Sequence, residues 1–300
     1  MKVFITGANG FVGQHLCRLL VEEGHSVTAL VRSERAWHSL PDGVACVIGD
    51  PTRPGPWQES IAGHDAVVNL AGASVFKRWT ADYKKLLRDS RILTTRHVVE
   101  AIPAGAPLTL LSTSAVGYYG FTGDEELDES APAGRDFLAR LAVDWENEAL
   151  EARRKAIRVV LPRFGVVLGS SGGALDQMTL PFRFFFGGPI GDGRQWLSWI
   201  HMDDLCRAYS FLFDHPEIEG PVNFTAPVPV RNRELATAIG KAMGRPSFMP
   251  APGFMISLVL GEFGSVILKG QRVVPRVLET GGFSFRFPTI DTALGDLLTG

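Results

Sequence analysis

The chain is 300 residues long and 45% hydrophobic, enough to bury a full-sized core without disulfide or metal staples. Its net charge is -2 and its 30 basic residues are scattered without runs, which excludes a nucleic-acid partner held by a global basic field. The 3 cysteines, Cys17, Cys46 and Cys206, are far apart and show no metal-site or disulfide spacing, so no metal is expected and a reducing, cytoplasmic setting fits best.

Met1-Lys2 runs straight into an apolar strand, and no export leader is expected. Val3-Phe4-Ile5 reads as that strand, followed by a glycine-rich turn and a helix from Phe11 to Glu23 with Leu16, Leu19 and Leu20 on one face. Gly24 stops the helix and His25 to Val31 forms a second strand, which completes one βαβ unit and implies a parallel sheet. Apolar runs at Ala45-Ile48, Ala66-Leu70, Leu108-Leu111 and Arg158-Leu161 then alternate with helix-length segments. That is the pattern of a doubly wound α/β Rossmann fold, with six or seven strands expected.

After Gly169 glycines and prolines become dense, from Gly172 to Gly193, before short strand and helix signals resume. The expected organisation is a nucleotide-binding core over 1–168 and a small C-terminal substrate-side lobe over 169–300, interleaved with the last core elements. Gly253 to Leu268 is apolar but too short to span a bilayer and carries Glu262, so it reads as a helix covering a pocket. No membrane partner is expected, no internal repeat is visible, and oligomeric state is not readable from the residues.

The turn after the first strand is Gly7-Ala8-Asn9-Gly10-Phe11-Val12-Gly13. Between a strand and a helix, such glycines permit a tight turn and close backbone approach to a dinucleotide pyrophosphate at the helix N-terminus. An NAD-selective site ends its second strand with an acid that binds the ribose 2′-hydroxyl, but here the strand ends Leu30-Val31-Arg32-Ser33. Arg32 and Ser33 suit a 2′-phosphate instead, so NADP(H) is expected, against the plainer reading of Arg32 as a solvated loop charge. Asp50 stands where such folds hydrogen-bond an adenine edge, and equally where an Asp initiates a turn before Pro51.

These residues resemble the extended short-chain dehydrogenases over nearly the whole chain: Thr6 to Gly13, Asn69-Leu70-Ala71-Gly72 and Ser112-Thr113-Ser114. Within them the chain is similar to the branch of "epimerase family" proteins, also called the NAD-dependent epimerase/dehydratase family. The residues that carry this are Arg88 to Thr95, Gly117-Tyr118-Tyr119-Gly120, Asp136 to Ala139, Asp144-Trp145-Glu146, Gly165 to Gly169 and Trp199 to Asp204. The resemblance implies a cofactor pocket that also uses Asn69 to Gly72 behind the nicotinamide ribose, Arg91, and the loop near Val166. Arg91 could reach a phosphate or carboxylate, or be an ordinary helix-surface charge.

The resemblance also implies a Tyr as general acid/base, a Lys four residues on, and a substrate-orienting Ser or Thr. No Tyr-x-x-x-Lys exists in this sequence. Anchoring on Glu146 puts Leu138 and Ala142 at the Tyr and Lys positions, while Ser114 keeps the serine position. Tyr118 or Tyr119 is the candidate replacement proton donor, with a packed ring and a satisfied hydroxyl as the alternative. Arg194, Trp199 and His201, beside the glycine-rich loop Gly187-Gly193, are candidates for the substrate wall, His201 being readable also as a structural histidine. Two functions follow: an NADP(H)-dependent oxidoreductase or epimerase-like enzyme acting on a small, sugar-like substrate, or a catalytically degenerate NADPH-binding sensor or scaffold.

Overall fold

Residues 1–170 and 172–299 are described in a computed structural model; Ser171 and Gly300, inside and at the end of the expected lobe, lie outside the described residues. The first half runs β1 (Lys2–Thr6), α1 (Phe11–Glu22), β2 (Ser26–Val31), α2 (Glu34–Trp37), β3 (Ala45–Ile48), β4 (Ala66–Asn69), α3 (Ala81–Ala101) and β5 (Thr109–Ser112). It continues through β6 (Ser114–Ala115), β7 (Glu126–Leu127), α4 (Phe137–Leu150) and β8 (Arg158–Phe164). The second half holds β9 (Val166–Leu168), α5 (Gly173–Arg183), β10 (Trp196–Leu197), β11 (Trp199–His201), α6 (Met202–Asp214), β12 (Gly220–Phe224) and β13 (Val230–Arg231). Then come α7 (Asn232–Met243), α8 (Gly253–Leu260), α9 (Glu262–Ile267), β14 (Arg272–Val273), α10 (Arg276–Thr280) and α11 (Ile290–Thr299).

The central sheet has the order β12-β8-β5-β4-β1-β2-β3, with β6 paired beside β8, and its strands are parallel. Both faces are covered. Val3 and Ile5 of β1 face a core shared with Leu16 and Leu20 of α1 and Leu205 and Leu212 of α6, while Phe4 between them faces a core shared with Val98 of α3 and Ala149 of α4. Burial on both sides is why the strands read as continuous apolar runs rather than alternating ones. The order reverses between β1 and β4, the crevice where doubly wound sheets bind ligands.

The expected strands are all present, and β12, which returns from the second half of the chain, closes the sheet edge beside β8. The apolar stretch from Gly253 to Leu268 is two helices, not one, because Gly261 between them takes φ +63, a left-handed turn that ends α8. No helix among the described residues is long and apolar enough to cross a membrane.

The last segment is tied to the core by one buried carboxylate. Asp204 on α6 accepts the backbone N–H of Arg286 and of Phe287, both at 2.9 Å, and an Arg207 guanidinium N–H at 3.0 Å. Asp204→Ala leaves two backbone donors without a partner, and a loss of about 2–4 kcal/mol in urea unfolding is expected. An unchanged denaturation midpoint would show that the segment is held by its apolar contacts alone.

Candidate nucleotide and active site

The glycine turn is forced by backbone crowding. Gly7 has φ +72, and a Cβ there would stand 2.8 Å from the Ala71 nitrogen. A Cβ on Gly13 would meet the Gly7 carbonyl oxygen at 2.3 Å. These two glycines bring the start of α1 onto β1 and onto the strand end at Leu70-Ala71. Gly10 caps α1 without a side chain, so the first N–H groups of the helix face Asn9 and Gly10, both exposed, with no side-chain acceptor. An uncapped helix N-terminus carries partial positive charge and free donors, which suits a pyrophosphate.

Phe11 and Val12 are half-buried beside this turn. The Phe11 ring lies where side chains at Gly169 and Gly173 would stand, with Cβ positions at 2.8 and 2.6 Å from ring carbons. The first glycines after β9 are therefore shaped by the Phe11 ring, while Gly187 and Gly188 are crowded by Phe182 and Met249 instead.

At the end of β2, Arg32 and Ser33 are exposed. The Ser33 hydroxyl accepts from the Ala36 N–H at 3.4 Å and caps α2. Asp50 makes a turn: its Oδ1 accepts the Thr52 N–H at 3.0 Å and the Thr52 hydroxyl at 2.7 Å. Burial works to raise the Asp50 pKa, but these hydrogen bonds and the nearby charges of Arg53 and Arg32 hold it below the usual carboxylate value.

Asn69 ends β4 and directs its side chain into the sheet. It is fully buried, its Oδ1 accepts from Thr6 Oγ1 at 2.6 Å, and its Nδ2 donates to Thr95 Oγ1 at 2.9 Å and Ser112 Oγ at 3.2 Å. Its amide is engaged in pinning the ends of β1, β4 and β5 together, so it supports the pocket floor rather than touching a ligand. Leu70 and Ala71 are half-buried and Gly72 is exposed. Arg91 comes up beneath Gly72, with its guanidinium carbon 3.3 Å from the place of a Gly72 Cβ and 5.1 Å from the Trp145 ring centroid.

Ser114 keeps a hydroxyl at the end of the sheet but turns it inward. It donates to Glu146 Oε1 at 2.6 Å. Glu146 is bound on both oxygens by Arg163, Nε to Oε1 and Nη2 to Oε2, each at 2.8 Å, and Arg163 Nη1 donates to the Tyr119 hydroxyl at 2.9 Å. Tyr119 in turn donates to Asn223 Oδ1 at 2.7 Å. Arg163 is only 3% exposed, and although burial alone would lower its pKa, Glu146 holds the guanidinium firmly charged. Burial pushes the Tyr119 phenol up to about 12 in spite of Arg163. Tyr119 is thus removed from the proton-donor role by its own hydrogen bonds.

Tyr118 differs. It is half-buried, its ring lies 3.5 Å beneath the Arg163 guanidinium, and its hydroxyl makes no hydrogen bond to another described residue. The neighbouring Gly117 is required by Leu138, which would touch a Cβ there at 3.3 Å, and Ala142 is buried. The positions of the missing Tyr and Lys are therefore packed as part of the wall. Asp136 starts this wall by capping α4, accepting the N–H groups of Leu138 and Ala139 at 2.8 and 3.1 Å.

The expected substrate-wall residues are not gathered. Trp199 is fully buried in the core of the second half, with Nε1 donating to the Val228 carbonyl at 3.0 Å. His201 is 2% exposed: Nδ1 accepts the Asp203 N–H at 3.1 Å to cap α6, Nε2 lies 3.3 Å from an Asp296 oxygen, and its ring stacks on Phe287. Burial lowers its pKa against the pull of the surrounding acids, a structural imidazole. Arg194 is exposed, its N–H bound by Asp192. Val166 pairs with Trp199 and is half-buried. Sequence reasoning missed Arg163, whereas Trp196 belongs to the expected substrate wall after the glycine-rich loop; its ring centroid lies 4.0 Å from the Arg231 guanidinium and 5.3 Å from that of Arg272, and its Nε1 donates to Asp124. A charged residue inside the apolar run Val159-Val160-Leu161-Pro162-Arg163-Phe164 was the available signal for Arg163.

Residues 3–224 match the NAD dependent epimerase/dehydratase family, and residues 251–297 match a Domain of unknown function (DUF1731). The chain is 42% identical to the "Epimerase family protein SDR39U1 homolog, chloroplastic" of Arabidopsis thaliana, over 98% of this chain and 86% of that protein. It is 38% identical to epimerase family protein YfhF of Bacillus subtilis, over 99% and 98%. The crystal structure of human epimerase family protein SDR39U1 (isoform2) with NADPH superposes with a TM-score of 0.86 at 33% identity, covering 100% of this chain and 99% of that one.

The buried pair predicts a double-mutant result. Glu146→Gln or Arg163→Met alone leaves an unmatched charge in the interior and is expected to destabilise by about 3–5 kcal/mol, whereas the double substitution costs much less than the sum. Chemical denaturation of the four proteins measures this, and additive losses would mean that the two charges act independently.

Proposed function

Given that the chain belongs to the NAD dependent epimerase/dehydratase family, we propose that it binds NADP(H) and acts as an oxidoreductase or epimerase-like enzyme on a small, sugar-like substrate. The observation that carries the reading is the uncapped N-terminus of α1 in its glycine cradle, followed across β2 by Arg32 and Ser33 with no acid at the strand end. In this reading Gly7 to Gly13 hold the pyrophosphate, Arg32 and Ser33 hold the 2′-phosphate, and Ala71, Gly72 and Arg91 border the nicotinamide half. The NADPH in human SDR39U1, a protein of one-third identity over the full chain, supports the choice of nucleotide. Bound NADP(H) would supply or accept hydride.

Tyr118 is the proton donor in this reading, since it combines a fixed ring with a hydroxyl that has no hydrogen-bond partner among the described residues. Ser114 gives its hydroxyl hydrogen to Glu146 and keeps only its lone pairs for a substrate. That inward bond, together with Leu138 and Ala142 in place of the usual pair, favours a second reading: a binding protein that reports NADPH without consuming it.

Titration with NADPH and NADH tests the nucleotide. Arg32→Ala is expected to weaken NADPH at least tenfold, about 1.4 kcal/mol, and to leave NADH nearly unchanged. Equal affinities in the unmodified protein would sink the NADP(H) assignment. With NADPH bound, Tyr118→Phe is expected to lower NADPH oxidation by carbonyl substrates about 100-fold or more. Unchanged turnover removes Tyr118 from the chemistry, and binding with no oxidation across sugar-like, aliphatic and aromatic carbonyls selects the reporter.

A further inference from the structure

Three arginines of α3 meet different surroundings. Arg88 and Arg96 pair across to Asp144 and Glu148 of α4. Arg91 does not. The Leu87 carbonyl takes one of its five N–H donors at 3.1 Å, the Trp145 ring covers one side, and no carboxylate among the described residues lies within ion-pairing distance. Burial of this head group lowers its pKa to about 10, the mark of a desolvated cation with no counter-charge. A guanidinium is charged at neutral pH all the same, so the pocket carries an uncompensated positive charge against the exposed backbone of Gly72.

The strand order β3-β2-β1-β4-β5 gives that charge a direction. A dinucleotide lies across the switch point of such a sheet, its adenosine half over β2 and its pyrophosphate at the N-terminus of α1 beside β1. The nicotinamide half then runs over the ends of β4 and β5, where Gly72 follows β4 and Arg91 lies beneath it.

We propose that Arg91 makes the pocket selective for the reduced cofactor, by repelling the positively charged ring of NADP⁺ while tolerating the neutral ring of NADPH. This rests on the NADP(H) reading above. The two nucleotides share their ribose, phosphate and adenine groups and differ in charge only at that ring, so the other contacts cancel in the ratio of their affinities. A pocket of this kind takes up NADPH and releases NADP⁺, which suits a reductase that must discharge its product and equally a reporter of NADPH.

Isothermal titration of the full chain with NADPH and with NADP⁺ tests the assignment, for the unmodified protein and for Arg91→Lys, Arg91→Met and Arg91→Gln. The unmodified protein is expected to favour NADPH by roughly tenfold or more, about 1.4 kcal/mol. Arg91→Lys should keep most of that ratio, and the two neutral variants should bring it towards one. Arg91→Gln can retain a hydrogen bond to Leu87 and serves if the Met variant fails to fold, which thermal melting reports. Equal affinities in the unmodified protein, or a ratio untouched in both neutral variants, overturns the role of Arg91. Failure of both nucleotides to bind is a different result, and it overturns the NADP(H) reading together with this one.

Discussion

The substrate side of the molecule is organised around the buried contact between Glu146 and Arg163. A guanidinium on a central strand and a carboxylate on the covering helix meet through two 2.8 Å hydrogen bonds, and neither tolerates the loss of the other. Every polar group nearby is arranged by that pair. Ser114 satisfies a carboxylate lone pair, Tyr119 takes a donor of the third guanidinium nitrogen, and Asn223 extends the chain of bonds to β12. The pair costs desolvation, so its net contribution to stability is small, but through Ser114 and Tyr119 it ties both ends of the loop from Ser114 to Gly120. The free hydroxyl of Tyr118 is a by-product of that arrangement, because Arg163 holds the ring by its face and leaves the oxygen alone.

Much of this architecture is legible in the residues, because the relevant forces are local. The βαβ start, the doubly wound sheet and the glycine turn follow from apolar runs, breakers and their spacing, and each appears where expected. The motifs shared with relatives are legible too, but their meaning is not. Trp199, His201 and Asp204 form one motif in sequence, and in the fold they are a core ring, a helix cap and an anchor for the C-terminal segment. Asn69 is the same case: an amide that local reasoning aims at a ligand is drawn into the floor by Thr6, Thr95 and Ser112, which are 26 to 63 positions away. Partners that distant leave no periodic trace. The choice between Tyr118 and Tyr119 is likewise invisible until Arg163 and Asn223 are in place.

Arg163, which is buried, and Arg91, which is half-buried, show what pairing does to a cation. Arg163 is matched by Glu146 and serves as a rigid post; Arg91 has only a backbone carbonyl and an aromatic ring for company. A protein gains no stability from leaving a covered cation unmatched, since the penalty of desolvation is uncompensated until an anion or a favourable field arrives. In the reading proposed above, the unmatched charge of Arg91 acts by discriminating against a second cation in the crevice. Gly72 is the complementary sign on the same spot, because a side chain there would crowd the Arg91 head group and cover it from the crevice.

That contrast also bears on the missing catalysts. With Leu138 and Ala142 packed into the wall, α4 offers the crevice no hydroxyl and no ammonium; in the proposed reading the positive charge comes instead from Arg91 of α3 and the hydroxyl from Tyr118 in the loop after β6. Neither sits on the helix where the resemblance to the extended short-chain dehydrogenases places a Tyr and a Lys, and the two groups are not bound to one another by a four-residue helical spacing. A tyrosine and a cation on separate elements can be lost or retained separately. If Arg32 and Arg91 select the nucleotide as proposed, that selectivity does not depend on whether Tyr118 transfers a proton, and binding and turnover become separable properties of this fold rather than two measures of one.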